Sequence, residues 1–163
     1  MRKTSTYARK RRATSAWDRE RHLHVNPDKE ALIVAGIRED VERLRTRAAL
    51  HAYTGANAQA LANLAGRLVY IACHAAGVHG LGETPEARIL AGTANALADI
   101  AETPAELERQ RGAVIAGLQA IDRLMPKLHT FSLAAGSMEL DNLLTTASGM
   151  GTADVRRALG MQA

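Results

Sequence analysis

The sequence is poor in cysteine and in aromatic residues. Its single cysteine, Cys73, excludes an intramolecular disulfide framework and favours a reducing compartment. Aromatic residues make up 3% of the chain, whereas hydrophobic residues as a whole make up 47%. The core must therefore be built from Ala, Leu, Ile and Val, a mixture that favours close-packed helices over sheets.

The chain also lacks recognisable catalytic, nucleotide and metal motifs. The loop Gly77–Glu83 contains three glycines, but no strand precedes it and no Lys-Ser or Lys-Thr follows it, as a phosphate-binding loop requires. Cys73, His74 and His79 are zinc-ligand types, yet adjacent helical residues point about 100° apart. Cys73 is more simply a small core residue. We predict no metal, no cofactor and no enzymatic activity.

One stretch, 57–76, is apolar enough to suggest a membrane span, but its polar residues argue against one. Arg67 is its only formal charge, and a charged group is costly in hydrocarbon. We predict instead the central helix of a cytoplasmic bundle, with Arg67 reaching outward or paired across the bundle. The larger apolar residues recur at helical spacing, as a buried face requires. They are Leu61, Leu64, Leu68, Val69 and Ile71.

Proline-containing start signals divide the rest of the body into helices. Asn26-Pro27 gives an N-cap followed by proline at the first helical position, and Thr84-Pro85 and Thr103-Pro104 repeat this pattern. We expect the first helix to end near Thr54-Gly55 and to pack antiparallel to the central helix. Pro126 predicts a break near Met125.

A further helix is expected over 128–145, with Gly136 as its weak point. Thr152 and Asp154 predict a short last helix through Leu159 after a glycine-containing linker. The predicted fold is all-α, a compact bundle of about five or six helices with an extended basic N-terminal arm. The predicted divisions are the arm over 1–25, the bundle over 26–146, and a linker with a short helix over 147–163.

Basic charge is concentrated in the arm. Residues 1–25 contain eight Lys or Arg and two acidic residues, a net charge of +6, whereas the remaining chain has a net charge of −2. The cluster 9–12 lies between Tyr7 and Trp17, which places phosphate-neutralising cations near rings that stack on bases. The residues predicted to bind nucleic acid or an acidic protein surface are Arg2, Lys3, Tyr7, Arg9, Lys10, Arg11, Arg12, Trp17, Arg19 and Arg21.

Other interpretations of the arm and the body stay open. A solvated tail without specific binding has the same composition, and an organelle transit peptide is also rich in Arg and Ser, although Asp18 and Glu20 come early for one. The leading hypothesis is a nucleic-acid-associated protein that binds through the arm. The alternative is a helical protein-interaction module that inhibits or modulates a host or defence protein. Homo-oligomerisation stays open, and no membrane partner is expected.

Short stretches of the sequence also carry a family resemblance. They are Gly55-Ala56 before Leu61-Ala62-Asn63, the loop Gly77–Glu83, Ala91-Gly92 with Ala96-Leu97, Met138–Asp141, and the arm residues Lys3, Tyr7, Arg9 and Lys10. Together they resemble small uncharacterised helical proteins encoded in phages and prophages of Gram-negative bacteria. The family has a His where this chain has Asp141, so no role of that His is carried over. The resemblance implies a phage accessory protein that acts inside a bacterium.

Overall fold

The structure is a computed structural model that describes residues 26–49 and 51–147. These ranges contain five α-helices and no strand, which confirms the predicted all-α bundle. Short 3₁₀ turns at Gly55–Asn57 and Pro104–Glu106 lead into helices, and Met125–Lys127 follows one. The helices are α1 (Pro27–Ala49), α2 (Ala58–Val78), α3 (Pro85–Glu102), α4 (Leu107–Leu124) and α5 (Thr130–Ala147).

Two of the three predicted N-caps are present. The backbone N–H of Lys29 donates to Asn26 Oδ1 at 3.3 Å, and that of Ala87 donates to Thr84 Oγ1 at 3.3 Å. Both bonds satisfy N–H groups that have no partner inside the helix. Thr103 was predicted to act in the same way, and this was wrong. Its side chain makes no capping bond, because Pro104–Glu106 forms a 3₁₀ turn before α4 begins.

The end of α1 also differs from the sequence prediction. α1 ends at Ala49 rather than near Thr54-Gly55, and His51 follows with a positive φ of 49°, a conformation that terminates helices. Pro126 lies in the 3₁₀ turn after α4, which confirms the predicted break. Gly136 does not interrupt α5. It is buried, and a Cβ placed there would lie 3.2 Å from His74 Cδ2, so glycine permits close packing against α2.

α2 lies at the centre of the bundle. It packs most extensively against α3 and α5 and also contacts α4 and α1. Leu61, Leu68 and Ile71 are buried as predicted, whereas Leu64 is only half-buried. The largest fully buried side chains come from all five helices and the core is therefore shared. They are Leu44, Ile71, Leu90, Ile100, Leu107, Ile121, Leu124 and Leu133.

Contacts along α5 give the directions of its two neighbours. Arg67, His74 and His79 meet Asp141, Gly136 and Ser132 respectively, so α2 runs antiparallel to α5. The Thr130 hydroxyl donates to Glu30 Oε1 at 2.6 Å, and Ile37 and Ser137 line one groove, so α1 runs parallel to α5. It follows that α1 and α2 are antiparallel, as predicted from the short connection between them.

The connection between α1 and α2 is held by polar contacts. Arg111 of α4 donates through Nη2 to the Tyr53 carbonyl at 2.9 Å, and the Tyr53 side chain is buried. The Thr54 N–H donates to Asn57 Oδ1 at 2.7 Å, and Asn57 Nδ2 donates to the Ala52 carbonyl at 3.4 Å. These bonds satisfy backbone groups that a non-helical segment would otherwise leave unpaired.

Candidate functional site

The predicted binding residues of the arm lie outside the described residues. The structure therefore neither brings them together nor separates them. Tyr7 and Trp17 are among them, and their proximity to the cation cluster remains a prediction from the sequence. The other residues in this position are Arg2, Lys3, Arg9, Lys10, Arg11, Arg12, Arg19 and Arg21.

The surface of the described body is dominated by ion pairs. Over 26–49 and 51–147 the sequence has eleven basic and fourteen acidic residues, a net charge of −3. Some pairs link different helices, such as Arg45 of α1 with Asp122 of α4 at 2.5 Å. The Asp122 carboxylate raises the pKa of Arg45. The arginines in ion pairs are Arg43, Arg45, Arg67, Arg88, Arg109, Arg111 and Arg123.

A shallow groove of about 170 Å³ lies among α1, α2 and α5. One of its apolar lining residues is Leu32, which is 74% exposed, and its charged lining residues are Asp40 and Arg67. Arg67 Nη2 is 3.0 Å from Asp141 Oδ1, so of the two predicted placements of Arg67, outward or paired across the bundle, the structure has the pair. The other lining residues are Ile33, Gly36, Ile37, Leu68, Ile71 and Ser137. The groove is therefore lined by both apolar and polar side chains.

Apart from the groove, a polar cluster joins the α2–α3 loop to the start of α5. His79 Nε2 is 2.9 Å from Ser132 Oγ, and the backbone N–H of His129 donates to the same nitrogen at 3.4 Å. The His79 and His129 rings lie 4.7 Å apart, centre to centre. Because the His129 N–H needs an acceptor, Nε2 carries the lone pair and the Ser132 hydroxyl donates to it.

A serine that donates to an imidazole resembles a nucleophile with its base. Ser132 lies in the first turn of α5 and is only 5% exposed, however, so a substrate has no open path to the hydroxyl. We interpret the contact as structural: it holds the loop against the first turn of α5 and satisfies a buried hydroxyl. The two residues are 53 positions apart, and no sequence motif links them.

The cysteine and histidine residues weighed for zinc do not form a metal centre. Cys73 is partly buried and packs against the core, and burial raises the pKa of its thiol. His74 stacks with Tyr70, their ring centres 6.3 Å apart. His79 instead contacts Ser132. Within 26–49 and 51–147, no three His, Cys, Asp or Glu residues are placed to hold one ion.

Comparison with protein-family models, curated proteins and solved structures finds no match for this chain. Its function must be inferred from its own residues. The resemblance to phage and prophage proteins therefore stays a prediction.

Sequence reasoning missed the groove and the His79–Ser132 contact. Leu32 lies within the predicted first helix, but nothing in the sequence indicates that its side chain is left exposed. The contact between His79 and Ser132 depends on how α2 and α5 are aligned, which only the tertiary structure shows. In contrast, the positive charge of the arm can be counted from the sequence alone.

Proposed function

We propose that this protein binds nucleic acid through residues 1–25 in the cytoplasm and that the helical bundle serves as a non-enzymatic scaffold. The segregation of charge carries this proposal. The arm has a net charge of +6, whereas the described body has −3 and engages seven arginines in ion pairs. The positive charge of the arm therefore attracts a phosphate backbone, whereas the negative charge of the body weakly repels it.

The mode of binding follows from the composition of the arm. Its cations neutralise phosphates, and Tyr7 and Trp17 stack on exposed bases, which favours single-stranded DNA or RNA over a duplex. In a duplex the bases are already stacked on one another, so no base is free to stack on the rings of Tyr7 and Trp17. Because Lys and Arg contacts release counterions, affinity should fall steeply with salt.

The test is a salt titration monitored by fluorescence anisotropy of labelled single-stranded DNA, RNA and duplex DNA. A fourfold variant, Arg9, Lys10, Arg11 and Arg12 each to Gln, should weaken binding at low salt by at least about tenfold. It should also reduce the slope of log K against log salt by about 3, close to 0.7 for each lost cation on a single strand.

The matched control removes four exposed cations from the body, so the change in net charge is identical. The substitutions are Arg38→Gln, Arg88→Gln, Arg109→Gln and Lys127→Gln, all at exposed positions. This control should bind nearly as tightly as the parent chain. Equal losses in the two variants would show that net charge, rather than the arm, determines binding, and the proposal would fail.

Trp17 supplies an independent signal because it is the only tryptophan in the chain. Stacking on bases should quench its fluorescence when single-stranded DNA is added, while polyglutamate at the same charge concentration tests the acidic-protein alternative. Quenching by polyglutamate with no effect of DNA would favour an acidic protein surface as the partner. Absence of binding to either polymer at low salt would indicate a solvated tail.

A further inference from the structure

One line of residues along α1 faces away from the core of the bundle. Its members follow one another at alternating steps of three and four, so they share one helix face. They lie opposite the buried Val34 and Val41. We call this face the α1 stripe, and its residues are Lys29, Leu32, Gly36, Glu39 and Arg43.

The centre of the α1 stripe combines a projecting side chain with a gap one turn away. Leu32 is 74% exposed, and a Cβ on Gly36 would meet nothing in the described chain within 4 Å. Both residues line the groove among α1, α2 and α5. Asp40 and Arg67, its charged lining residues, each have an ion-pair partner within the body. A leucine placed over the groove therefore buries apolar surface without leaving a charge unpaired.

We propose that a second copy of this chain covers the α1 stripe, with the two α1 helices packed antiparallel about a twofold axis. Leu32 of each copy then packs into the space beside Gly36 of the other copy. Lys29 lies three residues before Leu32, and Glu39 lies three residues after Gly36, so Lys29 faces Glu39 of the second copy. The twofold axis makes each of these contacts occur twice. The proposal holds whether or not the arm binds nucleic acid.

The charges of the α1 stripe select this direction and register. In a parallel pair each residue would face its own counterpart, so Lys29 would face Lys29 and Glu39 would face Glu39. Antiparallel pairing instead gives two contacts between opposite charges. A shift of one heptad in either direction would place Leu32 opposite Lys29 or Arg43 rather than opposite Gly36. The leucine and the charges thus favour the same arrangement.

The expected dimer is weak. Glu39 already pairs with Arg43 of its own helix at 2.9 Å, and its side chain is 72% exposed, so the contact with Lys29 sets register more than it adds affinity. Asp28 and Glu42 flank the stripe on one side and approach each other across the axis, which opposes association. A contact limited to one helix of each copy belongs to the smallest interfaces, below about 1,200 Å² in total. We expect a dissociation constant on the order of 100 µM, with Leu32 as the main contributor.

Disulfide trapping between two versions of the full chain tests the register. Both versions carry Cys73→Ala; one adds Lys29→Cys and is labelled with ¹⁵N, and the other adds Glu39→Cys. In the proposed dimer positions 29 and 39 face each other, and the opposite end keeps one native Lys29–Glu39 contact. Like positions lie about 15 Å apart along the pair, beyond the roughly 7 Å between Cα atoms that a disulfide spans. By intact mass, the mixed disulfide should exceed the two like disulfides together by at least about tenfold, whereas random collision gives equal amounts.

A matched pair of substitutions shows whether Leu32 forms the contact. Leu32→Asp in both versions should return the products to the random ratio, because a carboxylate does not enter an apolar gap. Ala31→Asp makes the same charge change at an exposed position outside the stripe, and it should keep the excess. Equal amounts of mixed and like disulfides without either change would overturn the proposal. An excess of like disulfides, or an excess that survives Leu32→Asp, would also overturn it.

Sedimentation equilibrium of the nuclease-treated full chain provides a second measurement. Lys29→Glu and Glu39→Lys should each raise the dissociation constant by about threefold to tenfold, because each places like charges together twice. The variant with both changes should return close to the parent value. The two positions are about 15 Å apart within one helix, so this rescue requires contact between copies. A chain that stays monomeric, or a double variant that shows no rescue, would overturn the proposal and leave the α1 stripe to a different partner.

Discussion

The contact between Gly117 and Thr93 should make a glycine in the middle of a helix more stabilising than alanine. Gly117 of α4 faces Thr93 of α3, and a Cβ on Gly117 would overlap Thr93 Cγ2 and lie 2.5 Å from Thr93 Oγ1. Both approaches are far closer than a van der Waals contact. Gly117→Ala must therefore displace the threonine or separate the two helices.

Thr93 has little freedom to move. Its residue is 2% exposed, and its hydroxyl lies 2.9 Å from the Ile89 carbonyl and 3.0 Å from the Ala113 carbonyl. A rotation of the side chain would give up the hydrogen bond from the Thr93 hydroxyl to the Ala113 carbonyl of α4. Overpacking of a filled core typically costs about 1–3 kcal/mol, and the lost hydrogen bond adds about 1 kcal/mol.

An opposing effect has to be separated from the clash. Alanine is favoured over glycine in a helix interior by about 1 kcal/mol, so Gly117→Ala gains this amount as it incurs the clash. Gly112 is the matched control, because it lies on the same helix, is exposed, and has open space where its Cβ would be. Gly112→Ala should stabilise the protein by about 0.5–1 kcal/mol.

The assay is urea unfolding monitored by circular dichroism at 222 nm. The free energy of unfolding should be lower for Gly117→Ala than for Gly112→Ala by about 2–4 kcal/mol, which is the cost of the clash together with the lost hydrogen bond. Adding Thr93→Gly to Gly117→Ala should recover part of the loss, because the methyl group then enters the space that the threonine vacated. If both alanine variants are stabilised equally, the proposed close contact between α3 and α4 is wrong.

Two further predictions concern the C-terminal part of α2 and the loop that follows it. Burial raises the pKa of the Cys73 thiol, so less thiolate is present in the folded protein than in the unfolded protein at pH 8. Iodoacetamide should therefore alkylate the native chain more slowly than the urea-unfolded chain. Equal rates of alkylation would contradict this prediction. His79→Ala should lower the free energy of unfolding by about 1–3 kcal/mol because the buried Ser132 hydroxyl loses its acceptor. The double variant with Ser132→Ala should lose less than the sum of the two single changes, as measured by a double-mutant cycle; additive losses would show that the two side chains do not interact.

The helices were predictable because their signals are local. Asn26 and Thr84 each accept a bond from an N–H three residues later, so the capping pattern contains all the groups that form the contact. Thr103 has the same pattern, yet the following residues form a 3₁₀ turn. α3 and α4 meet at this corner, and tertiary packing overrides a propensity worth only about 1 kcal/mol. The presence of each helix was therefore easier to predict than the residue at which α4 begins.

Contacts between helices were not predictable because they depend on alignment. Gly117 looks like a weak point in α4, and only the position of Thr93 shows why glycine is needed there. The Arg111 contact with the Tyr53 carbonyl spans 58 residues and has no sequence signature. The groove arises in the same way from α1, α2 and α5 together. The basic arm is the opposite case, because the hypothesis that it binds nucleic acid depends on its charge, which can be counted without knowledge of packing.

α2 shows how a helix of membrane-like composition is accommodated inside a bundle. Gly55–Val78 is long and apolar enough to cross a membrane by length and composition, but half of the 18-residue part that meets this description is buried inside the bundle. Its more polar or aromatic side chains, Gln59, Asn63, Arg67, Tyr70 and His74, recur every three or four residues and form one narrow stripe. Several of these side chains make specific contacts with other side chains of the bundle.

Those partners explain why the stripe is tolerated. Gln59 donates to Asn63 at 3.1 Å, and Arg67 pairs with Asp141 at 3.0 Å. His74 packs where Gly136 lets α5 approach. In a lipid environment Arg67 would have to be shielded at a cost of several kcal/mol, whereas in the bundle its guanidinium lies at the surface beside a carboxylate. The apolar faces of α2 are at the same time covered by α3, α4 and α5. Polar stripe and apolar faces thus both find their partners within a single helical bundle, which accounts for the composition of α2 without a membrane.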